Sequence, residues 1–147
     1  MPLLILALAG LSAATPDDPS ATAVPPPIKG VTTPVGLDPD AYCFVQVAAV
    51  KSALADTKEQ SADLDTQREA AGIGLSYYVG ALSRRFDKEG INAQVGAVMR
   101  HIVTTKMADE AEASGRVGLL CAYAARDRLH DVANGMRVAM GIAPKNP

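Results

Sequence analysis

From Asp38 onward the apolar residues recur with helical spacing, and the recurrence falls into four blocks. Cys43, Val47, Val50 and Leu54 stand at i, i+4, i+7 and i+11, one stripe of a first helix. That helix opens on Asp38-Pro39, a capping carboxylate followed by proline at the first helical position, and runs to about Asp56. Phe44, Val45, Ala48, Ala49 and Ala53 make its other sides apolar too, so it is expected to be central and covered on several sides.

A second helix is expected from about Thr66, where Thr66-Gln67-Arg68-Glu69 has the spacing of a capping box, to about Asp87. Its buried face is expected to carry Ala71, Leu75, Tyr78, Val79, Leu82 and Phe86. Gly72, Gly74 and Gly80 each cost about 1 kcal/mol relative to Ala, and close approach of another helix is the reason expected for them. A third helix covers roughly residues 90–104, with Ile91, Val95, Val98 and Ile102 at the same four spacings. The fourth opens near Thr105 on an acidic first turn and continues to about Met140, with a bend allowed at Ser114-Gly115. Cys121, Ala125, Val132, Met136 and Ala139 share its apolar face. The alternation of a β-strand is missing, so the expectation is an all-α domain: a four-helix bundle or similar compact helical array.

Proline marks the edges of this domain. Eight of the ten prolines lie within residues 1–39, the other two are Pro144 and Pro147, and none lies between Asp40 and Ala143. Residues 15–37 therefore read as a disordered Pro/Thr-rich tether, 38–143 as the single helical domain and 144–147 as a disordered tail. Residues 1–14 read as a signal peptide: Leu3–Leu11 is an apolar run too short to span a bilayer, and Ser12-Ala13-Ala14 supplies the small residues before a cleavage site. No Lys or Arg precedes the run, and the other reading is an apolar segment that docks on the domain. The signal-peptide reading places the mature protein in the periplasm or outside the cell.

In an oxidising compartment Cys43 and Cys121, both on predicted buried faces, are expected to pair; the alternative is two buried thiols. Neither has a C-x-x-C partner or a neighbouring His, which argues against a catalytic thiol.

Aromatic residues are only 4% of the chain and Trp is absent, so the core must be built from small aliphatic side chains. A net charge of −2 with scattered Lys and Arg gives no nucleic-acid-binding stripe. No stretch is long enough for a membrane span. The C-x-x-C-H of covalent haem, paired Glu-x-x-His motifs and H-E-x-x-H are all missing, so no cofactor or metal is expected. Asp127 and His130, at i and i+3 on the polar face of the fourth helix, could share a proton or a metal, although a solvated charged face explains them as well. Arg128 projects into the sector of Cys121 and Val132, where it can snorkel or pair with a carboxylate. Tyr77 and Arg84 lie on the side of the second helix away from Tyr78, either sandwiched by a neighbour or offering a contact surface.

Cys43 in an early helix, the segment Tyr77-Tyr78-x-Gly80-x-Leu82-x-Arg84 and the late Cys121 together resemble small exported two-cysteine helical proteins of bacteria. That resemblance implies a helical fold and a periplasmic address, with no activity to carry over. Acid-stress chaperones of the periplasm are similar in outline, but their cysteines are closer together in sequence. The function expected is a protein-interaction domain without a catalytic site, chaperone-like or an inhibitor-type binder whose partner is another protein. The alternative is a periplasmic helical bundle that binds a small molecule or metal, with Arg128 or the Asp127/His130 pair as polar anchors.

Overall fold

The computed structural model describes residues 25–105 and 111–146, with side chains from Gly115 in the second stretch. The proposed signal peptide, residues 15–24 of the tether and Pro147 lie outside the described residues. Four helices follow one another: α1 (Pro39–Asp56), α2 (Ala62–Arg85), α3 (Lys88–Thr104) and α4 (Ala111–Ala139), and no strand occurs among the described residues. The fold is all-α, as the periodicity predicts.

Helix α1 has the bounds read from the sequence. The Asp38 carboxylate caps it, accepting from the backbone N–H groups of Asp40 and Ala41 at 3.0 Å each. Helix α2 begins a turn earlier than Thr66 because Ser61 is the cap, its Oγ accepting from Leu64 N–H at 3.2 Å. The Thr66 hydroxyl instead donates back to Ala62 O within the helix at 2.9 Å. Phe86 is extended and ends α2, and Asp87 at once caps α3, accepting from Gly90 N–H at 2.7 Å.

Helices α1, α2 and α4 pack mutually, and α3 lies mainly against α1. One core cluster joins Cys43, Val47, Val50 and Leu54 of α1 to Ala70, Ala71 and Tyr78 of α2 and to Cys121, Ala122 and Ala125 of α4. A second joins Ala41 and Val45 on another side of α1 to Leu82 of α2 and Val98 of α3. Helix α1 is thus central, which is why its apolar residues are not confined to one stripe. Arginines of α2 hold both its ends: Arg85 reaches Asp38 and Asp40, while Arg68 donates to the carbonyls of Leu54 and Thr57.

Cys43 and Cys121 form a disulfide, with Cα atoms 5.5 Å apart and a sequence separation of 78. The first and last helices are neighbours there and run antiparallel, since Gly118 sits one turn further along α1, against Gln46 and Val50. A Cβ at Gly118 would lie 2.6 Å from the Gln46 carbonyl oxygen and closer still to Val50 Cγ2. Gly118→Ala should therefore destabilise the domain by about 1–3 kcal/mol, although Ala is the better helix former. Urea denaturation checks this, and an unchanged midpoint would show that α1 and α4 are not so close. Gly74 makes the equivalent approach of α2 to α4, with Ala122 Cα 3.1 Å from its would-be Cβ. Gly72 faces open space.

Residues 25–37, assigned by the sequence to a tether outside the domain, lie on it. Ile28 and Val31 pack against the disulfide-centred core and Leu37 against the second cluster. Arg128 of α4 donates to Pro26 O at 2.7 Å. Three spaced aliphatic side chains give this strap apolar surface to bury, which proline content alone did not convey. At the other end Gly141, at φ +73°, closes α4: Ile142 N–H donates to Arg137 O and Gly141 N–H to Val138 O. The chain then turns back, and the Asn134 side chain both donates to Lys145 O and accepts from Lys145 N–H at 2.9 Å each. Lys145, placed by the sequence in the disordered tail, is tied to α4 by that pair of bonds.

Candidate binding groove and apolar ridge

Tyr77 and Tyr78 divide α2 between two environments. Tyr78 is fully buried and donates from its hydroxyl to Cys121 O at 2.8 Å; burial pushes that hydroxyl's pKa well up, so it stays a donor. Tyr77 turns the other way, its ring edge-on to Tyr78 at 5.1 Å, and borders a groove between α2 and α4. Ser76, Tyr77, Gly80 and Arg84 form one wall, and Arg128, Leu129 and Val132 the other; the volume is about 500 Å³. Gly80 does not bring a helix close, as its sequence context suggested. The nearest atom to its would-be Cβ is Nη1 of Arg84, at 3.7 Å, so Gly80 leaves the groove open and Arg84 folds back along it.

Of the five polar residues singled out in the sequence, Tyr77, Arg84 and Arg128 are therefore brought together. Arg84 is exposed and makes no ion pair among the described residues. Arg128, expected to snorkel or to pair with a carboxylate, donates from one amino group to Pro26 O, and its charge also acts on the Asp40 carboxylate without forming an ion pair among the described residues. It also borders a second cavity of about 360 Å³ beneath the strap, where Pro25, Ile28 and Val31 face Asp40 and Cys43.

The other two candidates stand apart from this groove. Asp127 is exposed and pairs with Arg126 at 3.6 Å. His130 lies instead beside Asn134, whose amide nitrogen is 3.4 Å from its Nδ1. No group of three or more His, Cys, Asp or Glu residues suited to holding a metal occurs among the described residues.

Sequence reasoning missed the strongest electrostatic feature. Arg85 is pinned by Asp38 at 2.7 Å and Asp40 at 2.6 Å, all three side chains at most 14% exposed. Burial pushes the Asp38 carboxyl up, but the bonds from Arg85 and from the α1 backbone together outweigh it and hold the pKa below the usual range. For Asp40 burial prevails over the pull of Arg85, with the neighbouring Asp38 charge adding to it, and the pKa is raised. Asp38-x-Asp40 at a helix start reads as capping and dipole chemistry, so nothing local pointed to an arginine 45 residues away.

The largest departure from the predicted faces is in α4. Val132, Met136 and Ala139 share the stripe of Cys121 and Ala125, yet Val132 is 55% and Met136 62% exposed. Ala125 is the last buried residue of α4, and about four further turns of helix follow it. Helix α1 runs antiparallel and begins near the level of Ala125, and α2 ends at Arg85, so no neighbour remains to cover the stripe. Leu129, Val132, Met136 and Met140, at i, i+3, i+7 and i+11, form an exposed ridge. On α2, Val79, expected in the core, is 47% exposed and belongs to neither core cluster.

Comparison with protein-family models, curated proteins and solved structures finds no match. No helix among the described residues is long and apolar enough to cross a membrane.

Proposed function

We propose that the chain is an exported helical domain that acts by protein contact, holding unfolded apolar segments of other proteins on the α4 ridge in the manner of a chaperone. The carrying observation is the ridge itself. A helix that outruns its bundle and keeps its apolar stripe exposes surface of the kind that marks protein contact. The overhang is also held helical to its end by the Gly141 cap and the Asn134–Lys145 bonds, an arrangement suited to presenting a surface. Methionines at two of the four ridge positions suit a surface that accepts varied apolar partners. The apolar N-terminal run supports export, and the disulfide is compatible with an oxidising compartment.

The double substitution Met136→Asp, Met140→Asp tests the reading. The wild-type chain should suppress aggregation of a heat-unfolded client protein, and the variant should lose most of that activity. Its unfolding free energy should change by less than about 0.5 kcal/mol, because the replaced side chains are exposed. Undiminished suppression in the variant, or none by the wild type, would end this reading. The second reading, a small-molecule-binding bundle, is favoured by the arginine-bordered groove.

A further inference from the structure

We propose that the groove between α2 and α4 binds a single-chain alkyl carboxylate, its head between Arg84 and Arg128 and its chain along Leu129 and Val132. This site stands on the arginines and the open wall at Gly80, independently of the chaperone reading.

Three observations lead to that ligand class. The first is size: about 500 Å³ lies within the roughly 300–1,000 Å³ of small-molecule pockets. A protein partner would need about 800 Å² of surface on each side, more than a groove of seven residues offers. The second is charge. Two guanidinium groups border one apolar groove, and neither has an ion pair among the described residues. The Arg128 charge is offset in part by Asp40, but an apolar ligand alone would leave that of Arg84 uncompensated beside its chain, whereas an anionic head attached to an apolar chain satisfies groove and charge together. The third is donor geometry. Among the described residues Arg84 has no hydrogen-bond or ion-pair partner, while Arg128 has one amino group committed to Pro26 O. A two-point contact to one arginine and a further contact to the other suit the two oxygens of a carboxylate.

The local sequence fits this role. Gly80 is tolerated mid-helix, where it costs about 1 kcal/mol, and it touches no neighbouring helix. Its one evident structural consequence is the space that Arg84 and the groove occupy.

Isothermal titration of the full, disulfide-bonded chain with decanoate, below its micelle concentration, tests the proposal, with 1-decanol as the uncharged probe. Decanoate should bind at one site, about tenfold or more tighter than decanol, the contrast expected for hydrogen bonds to a charged group. Arg84→Gln should weaken decanoate by about tenfold while leaving decanol unchanged. Gly80→Leu, which fills the groove and favours helix, should abolish binding of both. Lys51→Gln, a loss of charge on the exposed side of α1, should change neither. Arg128→Gln is the poorer test because it also releases the strap. Decanol binding as tightly as decanoate, decanoate binding that survives Gly80→Leu, or no decanoate binding by the wild type would each overturn the site. Leu129 and Val132 belong to both surfaces, but Arg84 and Gly80 lie off the ridge and Met136 and Met140 outside the groove, so the substitutions test the two readings separately.

Discussion

Replacing Cys43 and Cys121 by Ala is expected to lower the unfolding free energy by about 4–5 kcal/mol. The loop that the bond closes has 78 residues of separation, and the chain-entropy relation for a loop of that size gives about 4.5 kcal/mol. Domains of this size have only about 5–15 kcal/mol in total. The buried core around the bond is mostly Ala, Val and Leu with Tyr78 as its one fully buried aromatic, so apolar burial offers little reserve. Both sulfurs are buried, at 2% exposure or less, so the substitution also leaves space between α1 and α4. Equilibrium urea denaturation of the oxidised wild type and the double Ala variant measures the difference. A loss below about 1 kcal/mol would mean that the unfolded chain is already compact with these helices near each other.

The bond also illustrates what could be read ahead of the structure. Helical periodicity and proline distribution located the helices, because burial of a stripe and exclusion of proline from helix interiors act at every residue. Cys43 and Cys121 could be placed on buried faces for the same reason. The exposed half of α4 was not legible: Val132 and Met136 continue the stripe of Cys121 and Ala125 without interruption. Periodicity reports which side of a helix is apolar, while the presence of a neighbour at that height depends on where α1 and α2 end in space. Tyr77, Arg84 and Arg128 could be singled out individually, but their meeting in one groove depends on the parallel packing of α2 and α4. Gly80 has the same sequence signature as Gly74, and only the fold distinguishes a close helix contact from an open wall. The strap was misread through composition, since three aliphatic residues among prolines suffice to dock a segment when a cleft awaits them.

Removal of the Arg85 guanidinium is the second large effect expected. Arg85→Ala leaves the carboxylates of Asp38 and Asp40 buried beside each other without an ion-pair partner, and breaking a buried pair in this way costs about 3–5 kcal/mol. The pH dependence identifies the cause. In the wild type the lowered Asp38 pKa contributes stability that is present above the unfolded value near 3.8 and is lost as pH falls through the folded value. The raised Asp40 pKa acts oppositely: ionising it in the fold costs stability as pH rises through its folded value, and that cost is relieved on acidification towards 3.8. The two partly offset each other while Arg85 is present. Without it, Asp38 keeps only its backbone bonds and Asp40 only the more distant charge of Arg128 to oppose burial, so both folded pKa values shift upward from their wild-type positions. The variant's deficit should then be greatest near pH 7 and shrink towards pH 4, where the carboxyls take up protons. Urea denaturation of both proteins at the two pH values measures this. A deficit under about 1 kcal/mol at pH 7, or one that grows on acidification, would show that the triad does not hold the start of α1 to the end of α2 through charge.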